Sequence, residues 1–142
     1  MNNRRVLVTG SAGFIGFHLS KLLLSEGFKV HGFDAISDYY DTNLKLHRNE
    51  ILCKSPNFSF TKGMLEDHSL LRNEFKTFKP AVVVHLAAQA GVRYSLKNPK
   101  AYIDSNIIGT FNVMEETKNH HINHLLIAST SSVYGANENM PF

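Results

Sequence analysis

Apolar and polar positions along the chain change period repeatedly, from about two residues to about 3.6 and back. The run Arg4 to Gly10, with Val6, Leu7 and Val8 at its centre, reads as a strand that ends in a turn at Thr9-Gly10. Ile15, Leu19, Leu22 and Leu23 then recur at the i, i+4, i+7, i+8 spacing of one helical face, and Gly27 stands where a C-terminal cap belongs. Phe28 to Asp34 alternates towards an acidic end and predicts a second strand. Phe58 to Lys62 predicts a third, Ser69 to Phe78 a helix, and Pro80 opens Ala81-Val82-Val83-Val84, a run expected of a strand buried on both faces. Ile103, Ile107, Phe111 and Met114 mark another helix, and Leu125 to Ala128 a fifth strand. Ala35 to Asn57 is the least regular stretch, read as a loop to Thr42 and a short helix over Leu44 to Leu52.

Strand and helix alternate throughout, which predicts a parallel sheet with right-handed crossovers. At 142 residues the chain is long enough for one compact domain with its own core. Its single cysteine, Cys53, excludes an internal disulfide and a multi-cysteine zinc cage and agrees with a reducing, cytoplasmic setting. Arg4 and Arg5 precede an apolar run too short for a signal-peptide core or a membrane span, so no membrane association is expected. The formal charge of +3 is spread among acids such as Glu66, Asp67, Glu115 and Glu116 rather than clustered, so nucleic acid is not an expected partner.

Gly10-Ser11-Ala12-Gly13-Phe14-Ile15-Gly16 falls between the first strand and the first helix, where backbone N–H groups and a helix N-terminus can receive a pyrophosphate. Glycine is needed there for the tight turn, for close approach of phosphates and for packing helix on strand. Asp34 ends the second strand, 18 residues past Gly16. A carboxylate there accepts hydrogen bonds from ribose hydroxyls and repels a 2′-phosphate, which favours NAD over NADP; capping of the following loop is its alternative role. The fold expected is α/β, a Rossmann-type doubly wound parallel sheet in order 3-2-1-4-5, with the glycine loop at the switch between the first and fourth strands.

The Gly-x-x-Gly-x-x-Gly spacing, with Thr9-Gly10, His85-Leu86-Ala87-Ala88 and Ser132-Val133-Tyr134-Gly135, resembles the extended short-chain dehydrogenase/reductase family over the whole chain. Within it, Asp34 to Lys45, Gln89 to Ser95 and Asp104 to Thr110 are most similar to UDP-glucuronate 4-epimerases. The resemblance implies that Phe14 and Ile15 lie under the pyrophosphate and that Leu86, Ala87, Ala88 and Gln89 line the adenosine and nicotinamide-ribose side. Ser105 would touch the cofactor from its helix, and Thr130 would stand beside nicotinamide and sugar. Ser131 and Ser132 would then face the sugar carboxylate, with Arg93 a candidate substrate cation whose alternative is a surface loop arginine. Many relatives carry Asp at the position of Met64, where it meets the adenine amino group. Here that contact falls to the backbone of Met64 and Leu65 or is lost.

The same family uses a Tyr-x-x-x-Lys pair as acid/base and ribose anchor. No tyrosine here has a lysine four residues later. The resemblance puts that pair some twenty residues beyond the fifth strand, so residues 1–142 are expected to be an incomplete NAD-binding domain, inactive alone, without the C-terminal substrate domain of a homodimeric parent. Three rival readings stand beside the epimerase. The 4,6-dehydratases carry Asp-Glu immediately after the threonine, and decarboxylating relatives keep the glutamate, where this chain has Ser131-Ser132. A non-catalytic NAD sensor would need no serine/threonine cluster, and Ser129 to Ser132 have a strand-end turn as their plain alternative. His120, His121 and His124 have helical spacing but too few companions for a metal shell, and His85 reads as a hydrogen-bonded core residue.

Overall fold

A computed structural model describes residues 4–139 and Pro141. Five strands, β1 (Arg5–Thr9), β2 (Lys29–Asp34), β3 (Phe58–Lys62), β4 (Val82–His85) and β5 (His124–Ile127), form one sheet in the order β3-β2-β1-β4-β5. Every pairing is parallel; Val6 lies opposite Val30 on one side and Val82 on the other. The order and direction are those expected from the sequence.

Helices α1 (Phe14–Ser25), α2 (Thr42–Cys53), α3 (His68–Phe78), α4 (Pro99–Tyr102) and α5 (Thr110–Asn119) connect the strands, with a π-helix over Ile103–Gly109 between the last two and short 3₁₀ turns at Val92–Leu96 and Ser131–Tyr134. Their ends are chemically marked. Asp41 accepts from the Asn43 N–H and Asp67 from the Leu70 N–H, capping α2 and α3. α1 stops in a Schellman turn: Gly27, at φ 79°, donates to Leu24 O, and Phe28 donates to Leu23 O.

Alternation along β1 divides the core in two. Leu7 joins Phe33, Leu71, Phe75, Val83 and Val113 beneath α3 and α5, while Val6 and Val8 join Phe17, Val30, Leu52 and Phe58 beneath α1 and α2. Each such side chain contributes roughly 1.5–3 kcal/mol on full burial. β4 departs from its expectation: Val83 is fully buried, but Val82 and Val84 are only half-buried. Helices α1 and α2 pack mainly on β1 to β3 on that face, which covers β4 less.

Two helical faces are also corrected. Ile15 and Leu22 of α1 are exposed, and the buried face runs through Gly16, Phe17 and Ser20. Small residues let the helix press onto the glycine loop, while Leu19 and Leu23 of the apolar stripe are half-buried and Leu23 packs against the core. The predicted helix over 103–114 is broken by the π-helix, and its apolar stripe points outward: Ile103, Ile107, Phe111 and Met114 are 47–64% exposed. Gly109, Asn112, Val113 and Glu116 are buried instead. Glu116, without exposed surface, accepts from His68 Nε2 at 2.6 Å and Arg72 Nε at 3.1 Å, stapling α5 to α3. Burial works against that carboxylate, but Arg72 and His68 outweigh it and hold its pKa below the usual range.

Candidate functional site

A cavity of about 580 Å³ opens at the carboxyl ends of the strands, over the junction between β1 and β4. Its floor is the glycine loop. Gly10 takes φ 73°, donates to Phe33 O at 2.8 Å, and has no room for a side chain because a Cβ would fall 2.8 Å from Ala87 N. Gly16 is equally constrained, since its Cβ would overlap the Gly10 carbonyl oxygen. Gly13 is the N-cap of α1 and supplies no side-chain acceptor, and no acid occupies the first turn. The first N–H groups of α1, which lack helical partners by geometry, therefore face the cavity under the positive end of a helix dipole.

Asp34 forms the wall on the β2 side and is nearly buried. Its Oδ2 accepts from Ala12 N at 3.0 Å and its Oδ1 from Ile36 N at 2.8 Å. The loop-holding role is thus present: it keeps Ile36, a β-branched residue, at φ 50°. Two bonds use about half the lone-pair positions of a carboxylate, so acceptor capacity for a diol remains. Lys45 lies close by, donating to Ser37 O and Ser37 Oγ at 2.9 Å each, with its ammonium 4.2 Å above the Tyr40 ring. Burial lowers the Lys45 pKa, and the Asp34 and Asp38 carboxylates oppose that shift.

Across the cavity, Thr9 organises the loop after β4. Its hydroxyl oxygen accepts from Leu86 N and Ala87 N, both at 3.2 Å, so its single proton goes to His85 Nδ1 at 2.7 Å. That assigns the neutral tautomer with the proton on Nε2, which donates to Thr110 Oγ1 at 3.0 Å. Burial pushes the His85 pKa down to about 4, in agreement with a neutral ring. Asn106, on the π-helix, clamps the next residue: its Oδ1 accepts from Gln89 N at 2.7 Å and its Nδ2 donates to Gln89 O at 3.0 Å.

All thirteen residues assigned to a cofactor from the sequence line this one cavity: Gly10, Gly13, Phe14, Ile15, Gly16, Asp34, Met64, Leu65, Leu86, Ala87, Ala88, Gln89 and Ser105. The four assigned to substrate and catalysis do not. Arg93 sits on the exposed 3₁₀ turn after β4, and Thr130, Ser131 and Ser132 are exposed beyond the end of β5, where Thr130 accepts from Ser132 N at 3.3 Å. Only Ala128 brings that strand end to the cavity. The wall also contains Ser37, Tyr40, Lys45, Glu66, Lys100 and Asp104, which sequence reasoning did not single out. Lys45 ends the stretch that carried the family resemblance, but only the fold shows that it turns back towards Asp34. Among the described residues no group of three or more His, Cys, Asp or Glu could hold a metal ion, and no helix is long and apolar enough to cross a membrane.

A family model described as GDP-mannose 4,6 dehydratase matches residues 7–142. The chain belongs to that family. It is 53% identical over 138 residues to a Rhizobium meliloti (strain 1021) protein named "Probable UDP-glucuronate 4-epimerase". It is 47% identical over 136 residues to a UDP-glucuronate 4-epimerase of Thermodesulfobacterium geofontis (strain OPF15). These alignments take in 97% and 96% of the chain but 40% and 42% of the relatives, so the chain spans about two-fifths of their length. Among solved structures, a Thermotoga maritima UDP-glucose 4-epimerase with UDP-glucose superposes at a TM-score of 0.80 and 31% identity, covering 96% of this chain and 41% of that one. A Bifidobacterium longum UDP-glucose 4-epimerase in complex with NAD+ and UDP gives 0.81 at 28% identity, covering 97% and 40%.

Proposed function

We propose that this chain is the NAD-binding portion of a nucleotide-sugar 4-epimerase that interconverts UDP-glucuronate and UDP-galacturonate. The observation that carries the reading is the single cavity joining the glycine loop, the α1 N-terminus and the acceptor-bearing Asp34. Its residues fit NAD: the α1 N–H groups suit a pyrophosphate, Asp34 a ribose diol, and the apolar side chains from Leu86 to Ala88 a flat ring. When bound, NAD supplies a reversible hydride acceptor at the sugar C4. Asp34 also argues against a 2′-phosphate, and therefore against NADP. Calorimetric titration of the 142-residue chain tests this: NAD should bind, and Asp34→Ala should weaken it at least tenfold, a loss in line with charged hydrogen bonds. Unchanged affinity in that variant would remove Asp34 from the site.

The sugar reaction belongs to the longer protein whose relatives this chain matches over two-fifths of their length. In this reading Thr130 donates to the C4 oxygen as charge develops on it, a contribution of about 2–4 kcal/mol, while Ser131 and Ser132 hydrogen-bond the sugar carboxylate and Arg93 adds charge from the neighbouring loop. Serines in place of an acid pair leave no group there for elimination, which favours epimerisation over 4,6-dehydration. The acid/base pair and the substrate domain lie outside residues 1–142, so the chain alone binds NAD without turnover. Homodimeric assembly of the parent is part of the same reading. Supplying the longer protein with UDP-glucuronate and assaying for UDP-galacturonate decides the substrate; epimerisation by residues 1–142 alone would show the acid/base to be misplaced.

A further inference from the structure

At the end of the sheet away from the glycine loop, a cavity of about 470 Å³ opens between the start of β1, the segments leading into β4 and β5, and the C-terminal ends of α3 and α5. Arg5, Lys76, Lys79, His120 and His121 line it, and among the described residues no acid does. Buried Phe75, Pro80 and Ala81, with half-buried Ile122, supply an apolar floor. Among the described residues Lys76 and Lys79 have no ion-pair partner. Glu116, which lies 3.3 Å from His120 Nδ1, is already bound to His68 and Arg72.

The carbonyls at a helix C-terminus carry negative partial charge and repel an anion when they are free. Here they are taken: Phe75 O accepts from Lys79 N, Glu116 O from His120 N, Thr117 O from Ile122 N and Lys118 O from His121 N, at 3.0–3.3 Å. Both helices close through left-handed residues, Lys79 at φ 50° and His121 at φ 51°. Glycine adopts that conformation without strain, and α1 uses Gly27 for it. A cation favours a helix end from within the last turn, as Lys76 and Lys118 do, so the dipole does not require basic residues at the strained positions. Strain of this kind persists where a site holds it. We propose that this cavity binds a small phosphate-bearing anion, its diphosphate group lying between Lys76, Lys79 and the His120-His121 turn, with Arg5 at the base of the site. Lysine serves phosphates as a point charge. The site is separate from the NAD cavity and does not depend on the NAD reading.

Nuclear magnetic resonance of the isotope-labelled 142-residue chain, titrated with inorganic pyrophosphate at an ionic strength matched by sodium chloride, tests the proposal. With NAD in excess, the amide signals of Lys79, His121 and Ile122 should move and saturate while those of Gly13 and Phe14 stay still. Lys79→Gly should weaken pyrophosphate at least about fivefold, yet raise the melting temperature by about 2–4 °C as strain is released. Lys76→Gln should weaken it similarly and leave the melting temperature within about 2 °C. ADP followed at the same amides distinguishes the source: tighter binding than pyrophosphate assigns a nucleotide with its base on the apolar floor, equal binding a free diphosphate, and both support the site. Shifts that never saturate, or that appear only at the glycine loop, overturn the proposal. So does unchanged pyrophosphate affinity in Lys79→Gly, which would leave Lys79 as a helix end alone.

Discussion

Thr9 and His85 show how a buried polar pair can set the shape of a site without touching a ligand. Replacing Thr9 with Val keeps the volume but leaves the buried His85 Nδ1 and the half-buried Ala87 N–H without their partner, which should cost about 2–3 kcal/mol in urea denaturation. An unaltered midpoint would show that water replaces the hydroxyl. His85 also gives the molecule an acid limit. Folded, it takes a proton only near pH 4, whereas an unfolded histidine does so near 6.5. Between those values the unfolded chain binds the extra proton, so the contribution is complete above 6.5 and fades as pH falls towards 4, amounting to roughly 3 kcal/mol. Burial lowers the His31 pKa in the same direction, against the opposing Glu74. Urea midpoints from pH 7 to 4 should therefore decline, and a His85→Gln variant should decline less; parallel slopes would assign the effect elsewhere.

At the scale of elements, Gly16 is the tightest joint. Gly16→Ala drives a methyl into the Gly10 carbonyl and should destabilise by about 3 kcal/mol or more, while Gly13→Ala, whose Cβ meets that oxygen at 3.1 Å, should cost about 1 kcal/mol. Thermal melts of the two variants separate them, and equal melting temperatures would mean that the loop yields easily. The same joint explains what the sequence made legible. Short apolar runs closed by turn residues, such as Val6 to Gly10, announce strands, and glycine spacing with a distant aspartate announces the loop and its acidic partner. Helix faces were less legible, because Gly16 and Ser20 bury by being small and Val113 and Glu116 bury through the sheet and α3, not through any visible periodicity. A π-helix between Ile103 and Gly109 leaves no period to read at all. Lys45, Glu66 and Lys100 reach the cavity through chain reversals that spacing does not encode, and the exposed positions of Thr130 and Arg93 likewise depend on how the short 3₁₀ turns lie.

The whole molecule shows water an apolar stripe of Ile103, Ile107, Phe111 and Met114, together with Leu126 and Ile127 on β5. Leu125, between them and the preceding loop, is half-buried against the α3/α5 side of the core. Such surface favours self-association. Light scattering of the 142-residue chain should show mass growing with concentration, and Phe111→Glu should reduce that growth while leaving the urea midpoint within about 0.5 kcal/mol, as expected of an exposed position. Growth unaffected by the substitution would point to the β5 edge. The sheet order also has a consequence for how the chain is born. Thr9 and His85 are 76 positions apart, and β1 lies between β2 and β4, so the central strand leaves the ribosome with one neighbour still unsynthesised. Until β4 emerges, Val6 and Val8 are half-paired and the glycine loop has no opposite wall. Nascent chains arrested before residue 85 should stay sensitive to protease however much NAD is present, because the dinucleotide has nothing to close upon until β4 has been made.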